Sequence, residues 1–302
     1  MRYHCYAAII IILTEKEMYF KMVKPLLTNH IVNWVVKRIK KNKNAIIVIN
    51  GQTGSGKTYV GLQLAYEIAQ VMNTPFSVSD NVDFSFTGLL RKTMKKENSK
   101  PGTPFLFEEV GAYGGGASAR DWQSKANRFF WSFLQTTRHR NQVLIFTCPM
   151  FSFLDVGARV LCHMQIMMLG IDYKKEISIT RPYLLQVNTR TGKIYFKLMR
   201  YYDKKGIEIL IEGQRIHKPN KSILREYEIM KEQFTGSLNQ SIIDEEDKAI
   251  KKAAPKPLTP IQQEVYELSK SDMTDKEIAL KLSKCRSYIT KIRKNILDKG
   301  YT

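Results

Sequence analysis

From residue 29 onward the apolar positions follow a helical period. Ile31, Val32, Val35, Val36 and Ile39 fall on one stripe of a helix that Thr28 or Asn29 can cap. It ends in Lys37, Arg38, Lys40 and Lys41, cations suited to a helix C-terminus. Ala45–Asn50 is a short β-branched run of the buried-strand type, and helical spacing resumes over residues 58–72. Further strands are expected at 82–86, 105–109, 143–147 and 165–169, separated by helical stretches such as 88–96 and 121–138. This alternation predicts an α/β fold, a parallel sheet with helices on both faces.

Beyond residue 176 the pattern changes. Over 177–212, β-branched and aromatic runs are broken by Asn188-Thr189-Arg190-Thr191-Gly192 and Asp203-Lys204-Lys205-Gly206, which read as turns of an antiparallel β extension. A charged, weakly patterned stretch follows, and Ala253-Ala254-Pro255-Lys256-Pro257 has the composition of a linker. The expected organisation is an N-terminal extension at 1–27, an α/β domain at 28–215, a charged connector and linker at 216–256, and a small all-α domain at 257–302.

Composition narrows the partners. A formal net charge of +20 over 302 residues, with pI near 9.7, favours nucleic acids or anionic membranes. No stretch reaches the roughly 18 consecutive apolar residues of a membrane span, so nucleic acid is the stronger expectation. Residues 6–13 are apolar and follow Arg2, but charged residues come next instead of a small-residue cleavage site. Met18 and Met22 offer alternative starts. Cys5, Cys148, Cys162 and Cys285 stand singly, and the five histidines form no ligand-spaced cluster. A reduced, cytoplasmic protein without structural zinc is expected.

The segment Gly51-Gln52-Thr53-Gly54-Ser55-Gly56-Lys57-Thr58 satisfies the P-loop pattern and stands between an expected strand and an expected helix, the context the motif requires. Glycines let backbone N–H groups turn inward around phosphates, the helix N-terminus adds its positive end, Lys57 reaches the terminal phosphates and Thr58 offers a hydroxyl to Mg²⁺. ATP and Mg²⁺ are the expected cofactors. The strand at 105–109 ends in Glu108-Glu109. The first acid would complete the Mg²⁺ shell and the second would polarise the attacking water, or both are simply solvated at a strand end. Aspartate is the usual first residue, and Glu108 departs from it. The strand at 143–147 ends in Thr147, either a core residue or a polar sensor of the γ-phosphate. Arg138 and Arg140 flank the surface residue His139 at a helix end. Each cation either settles the helix dipole or reaches a neighbouring subunit's nucleotide as an arginine finger.

The order P-loop, intervening strand, Glu108-Glu109, Thr147 resembles the additional-strand class of P-loop ATPases over about residues 30–170. Within that class the Glu-Glu strand, Gly114-Gly115-Gly116, Arg120-Asp121-Trp122 and the segment from Gln135 to Arg140 resemble the FtsK–HerA and zonular-occludens-toxin-like group. The resemblance implies a homo-oligomeric ring that moves DNA or packages viral or plasmid genomes. An apolar run of membrane-span length is not expected in this sequence, a departure from the toxin-like branch, whose members commonly carry a membrane span, and from FtsK, which has an upstream membrane region. The alternative is an AAA+ replication initiator, but such proteins place a helical lid after the last core strand, where residues 177–212 read as hairpins. A transcription factor whose P-loop domain only senses nucleotide is the third reading.

Residues 258–301 resemble a LuxR- or sigma-factor-type helix-turn-helix. Ile278, Ala279 and Leu282 face inward on a capped helix, a turn follows at Ser283-Lys284-Cys285, and Ile289, Ile292 and Ile296 line a second helix. The exposed set, Arg286, Ser287, Tyr288, Thr290, Lys291, Arg293 and Lys294, suits contacts in a DNA major groove. A small protein-binding module with a solvated basic face fits the same pattern.

Overall fold

Asn29 opens the first helix, α1 (His30–Lys40): its side-chain oxygen accepts from the backbone N–H groups of Ile31 and Val32. The apolar stripe is buried as its spacing predicts, from Ile31 to Ile39. The computed structural model describes residues 29–109, 125–202, 205–253 and 257–301, which fall into two units divided between Glu232 and Gln233. The expectations for residues 1–28, Gly114-Gly115-Gly116, Arg120-Asp121-Trp122, Asp203-Lys204 and Ala254-Pro255-Lys256 lie outside the described residues.

In the first unit the chain runs through β1 (Ala45–Asn50), α2 (Lys57–Met72), α3 (Val78–Asn81), β2 (Val82–Asp83), α4 (Phe86–Met94), β3 (Pro104–Phe107) and α5 (Lys125–Thr136). It continues through β4 (Val143–Cys148), α6 (Val156–Leu161), β5 (Met164–Asp172), β6 (Ile177–Val187), β7 (Ile194–Leu198), β8 (Arg200–Tyr202), β9 (Glu208–Leu210) and β10 (Gln214–His217). Strands β5, β1, β4, β3 and β2 form a parallel sheet in that order. Strand β6 joins β5 antiparallel, with β10 and β7 on its other side, so the β extension prolongs the same sheet.

The sheet's two faces divide the apolar residues by the period-2 rule of a strand. Ile46, Val48, Phe105, Phe107, Leu144 and Phe146 pack with Phe86 and Leu89 of α4 and Phe130 and Phe133 of α5. On the opposite face Leu106 and Ile49 meet α2 at Gly61, where an added Cβ would lie 2.9 Å from Leu106 Cδ1. The parallel strands are buried on both faces, which accounts for their unbroken apolar runs.

Two differences from the sequence pattern have local causes. The strand expected at 82–86 stops at Asp83, because the Ser85 side chain accepts from Gly88 N–H and starts α4 at Phe86, two residues before the expected helix. In the charged stretch 216–256 the chain forms a long helix, α7 (Lys221–Ala253). Ile223, Leu224 and Tyr227 are buried on its first turns. Beyond them its described apolar residues, such as Ile242 and Ile243, are largely exposed, so it carries little amphipathic signal.

The second unit contains the end of α7 and three short helices, α8 (Pro260–Ser269), α9 (Asp275–Lys281) and α10 (Arg286–Asp298). Val265, Ile278, Ala279, Ile289, Ile292 and Ile296 form its core. Gln262 and Glu277 accept from the backbone N–H of Thr259 and Thr274, three residues earlier, as in capping boxes.

Candidate functional site

The segment 51–58 follows β1 and enters α2 through Gly56, whose φ of +85° is a left-handed conformation that favours glycine. A Cβ there would also press on Ile171 and Ser178. Lys57 Nζ donates to the carbonyls of Gly51 and Gln52, each at 2.9 Å, so its ammonium is folded back over the loop. Ser55 Oγ is buried without a hydrogen-bond partner.

Sheet topology brings the acids to this loop. Because β4 is inserted between β1 and β3, Thr147 stands opposite Ile49 on one side and next to the end of β3 on the other. The Thr58 hydroxyl donates to Glu108 Oε1 at 2.6 Å, and the Thr147 hydroxyl accepts from the Glu109 backbone N–H at 2.8 Å. Glu108 is 1% exposed, and its Oε2 has no hydrogen-bond partner. Burial pushes its carboxyl above the usual range, against the opposing pull of the Thr58 hydroxyl and the Lys231 ammonium. An anionic oxygen buried beside a threonine hydroxyl, with one lone-pair set unmet, is a donor set suited to a hard divalent cation. Glu109 is exposed and sits at φ +51°, a backbone strain of about 1 kcal/mol for a residue with a Cβ.

A cavity of about 660 Å³ covers these groups and is lined by Gly54, Gly56, Lys57, Thr58, Glu108 and Glu109, with Tyr59, Phe153, Tyr173 and Lys231 around them. Two of its neighbours were not legible in the sequence, because both lie on α7. Tyr227 is 3% exposed, and burial together with the nearby Glu108 pushes its phenol up. Lys231 Nζ lies 3.9 Å from Glu109 Oε1. The four-residue spacing that puts both side chains on one helix face was the available signal.

Arg138 and Arg140 are not brought to this cavity. They precede β4, whose first residue pairs with Ala45 at the start of β1, whereas the phosphate loop follows Asn50 at its end. About 17–20 Å of strand separates the two edges. Arg140 is held to the Thr93 carbonyl at 2.8 Å, while Arg138 is exposed.

In the second unit Arg286, Ser287, Tyr288, Lys291 and Lys294 are exposed along α10. Thr290 is exposed as well but donates to Asp275 at 2.6 Å, and the half-buried Arg293 binds Asp275, Ser269 and the Met273 carbonyl. Among the described residues there is no cluster of metal-ligating side chains of the His/Cys/Asp/Glu type, and no helix is long and apolar enough to cross a membrane.

The strand order, the loop between β1 and α2 and the added strand β4 together make the first unit a P-loop NTPase-like α/β fold. No protein-family model matches the chain, and no curated protein sequence matches it. Similar solved structures include the N-terminal domain of zonular occludens toxin from Neisseria meningitidis, at 16% identity over 54% of this chain and 96% of that one, with a TM-score of 0.34. Another is the genome packaging NTPase B204 from Sulfolobus turreted icosahedral virus 2. Its complex with ATP-gammaS has 12% identity over 51% of this chain and 96% of that one, TM-score 0.33; its complex with AMPPCP has 12% over 52% and 97%, TM-score 0.34.

Proposed function

We propose that this chain is an ATPase that couples ATP hydrolysis to work on DNA, as a ring-forming motor of the translocating or genome-packaging kind. The observation that carries the reading is the joined pair of contacts Thr58–Glu108 and Thr147–Glu109, which sets two acids of different environment over a phosphate loop. Lys57 and the loop's backbone N–H groups bind the phosphates. Thr58 and Glu108 would hold Mg²⁺, which when bound supplies positive charge to the terminal phosphates. Glu109, exposed to the cavity, takes the role of polarising the attacking water, and Thr147 fixes the turn that presents it. The arginine finger would act between subunits, and Arg138 suits it better than Arg140, which is tied to Thr93.

Charge and the second unit support DNA as the partner. The helix-turn-helix reading rests on α9, the turn over 282–285 and α10, with Arg286, Ser287, Tyr288, Lys291 and Lys294 as its DNA-facing side. The run of strands from β6 to β10, where an AAA+ initiator would carry a helical lid, speaks against the initiator.

The test is ATP turnover by the full chain with and without duplex DNA, alongside Lys57→Ala and Glu109→Gln. Lys57→Ala should lose tight nucleotide binding, and Glu109→Gln should keep binding and lose turnover, because shape is retained and the polarising charge removed. DNA should stimulate the wild-type rate. Wild-type turnover in Glu109→Gln would remove that assignment, and slow hydrolysis indifferent to DNA would favour a nucleotide-sensing regulator.

A further inference from the structure

The cavity over the phosphate loop has two acids and two lysines among its lining side chains, and one lysine comes from outside the P-loop. Glu108 and Glu109 stand at the end of β3, Lys57 at the start of α2, and Lys231 on α7. Lys231 Nζ lies 3.9 Å from Glu109 Oε1, with both side chains about half exposed at 43% and 46%. This distance gives a loose ion pair, open to competition from a stronger anion. One helical turn earlier Tyr227 is buried, its ring 5.9 Å from that of Phe84. The Lys231 ammonium lies 5.7 Å from the centre of the Tyr227 ring, so its tip stands between a buried aromatic face and the Glu109 carboxylate, with only a loose hold on each.

A nucleotide's inner phosphates belong to the loop and the helix N-terminus. A third phosphate extends the anion toward Glu108 and Glu109, where like charges meet in a partly enclosed site and a nearby cation must offset them. Lys57 serves from the loop side, and Lys231 is the lining cation on the acids' side.

We propose that Lys231 is the residue by which this site tells a nucleoside triphosphate from a diphosphate: without nucleotide it rests against Glu109, and with a triphosphate it pairs with the terminal phosphate. The move would also release the Glu109 carboxylate from its cation. This rests on reading the cavity as a nucleoside-triphosphate site, and it adds a residue outside the P-loop and the acidic strand to that site.

The test is calorimetric titration of the full chain with ATPγS and with ADP in the presence of Mg²⁺. Lys231→Met should weaken ATPγS binding by about tenfold or more, the size of one lost charged contact, and leave ADP affinity within about twofold. Lys231→Arg, which keeps the charge, should retain most of the preference. Equal loss for both nucleotides, or no loss for either, would overturn the assignment. Lys57→Ala separates the two levels. If it abolishes binding of both nucleotides while Lys231→Met leaves their ratio unchanged, only the role of Lys231 fails. If Lys57→Ala leaves both affinities unchanged, the triphosphate-site reading fails, and the role of Lys231 with it.

Discussion

The Thr147 hydroxyl accepts a 2.8 Å hydrogen bond from the backbone N–H of Glu109, in the turn where Glu109 adopts a φ of +51°. Thr147 has no solvent exposure, so the bond ties a buried side chain to the backbone of the exposed Glu109 at the neighbouring strand end. It couples the strand between β1 and β3 to the residue proposed to polarise water, and it helps hold a backbone conformation that a non-glycine residue otherwise avoids.

Thr147→Val keeps the shape and removes the acceptor. The Glu109 N–H then loses its partner, at a net cost of about 0.5–1.5 kcal/mol for a part-buried bond. Thermal unfolding should show the loss, and steady-state turnover should fall further than nucleotide affinity, since the loop itself is untouched. Thr147→Ser should recover both. Unchanged turnover in Thr147→Val would mean that the bond has no part in presenting Glu109.

Glu108 gives a prediction in pH. Burial raises its carboxyl above the ordinary value, so the stability linked to its protonated form is full at acid pH and is lost as pH rises through the raised value. Glu108→Gln does not titrate. Without nucleotide or Mg²⁺, the variant should therefore melt above wild type at pH 8, and the gap should close as pH falls from the raised value to the normal carboxylate value of about 4.3. Adding Mg²⁺ and ATPγS should reverse the order at pH 8 by stabilising the wild type more. A constant gap at every pH would show that Glu108 does not titrate differently on folding.

Arg138 provides the test of assembly. Its position at the far edge of the sheet from the phosphate loop leaves it unable to serve its own chain's nucleotide. Arg138→Ala and Lys57→Ala should each be inactive alone, and mixing them should restore part of the turnover if one subunit's arginine completes the other's site. Arg140→Ala should act mainly on stability, through the lost contact with the Thr93 carbonyl. Full activity of Arg138→Ala alone would eliminate the finger.

The parallel sheet was legible because its strands are buried on both faces: Ala45–Asn50 is a continuous apolar run, and its strand has the same bounds. The β extension was legible as well, since β6 and β7 flank the turn read at Asn188–Gly192. Tyr227 and Lys231 were not, because α7 shows a buried face only on its first turns and its charges mask the period. Glu108 and Glu109 could be paired from sequence. Their difference in burial could not, because it depends on which residue ends β3 against β4 and which turns outward at positive φ.

The last prediction concerns DNA and uses the division of labour within α10. Ile289, Ile292 and Ile296 face the core, and Arg293 is spent on Asp275, Ser269 and Met273. Arg286 and Lys291 are exposed and near the helix's N-terminal half, the portion that enters a major groove in the proposed docking mode. The double variant Arg286→Ala/Lys291→Ala in the full chain should weaken duplex binding and reduce the slope of log affinity against log salt by about one for each lost phosphate contact. If one of the two reads a base edge instead, its loss should relax sequence preference by about 1–3 kcal/mol at that position and leave the slope nearer wild type. Arg293→Ala should behave differently: by breaking the ties between α8, α9 and α10 it should lower the unit's thermal stability first and DNA affinity only as a consequence. Fluorescence anisotropy over a salt series, paired with melting curves, separates the two effects. DNA affinity and salt slope unchanged in the double variant would exclude α10 as the DNA-facing helix and leave the basic first unit as the candidate surface.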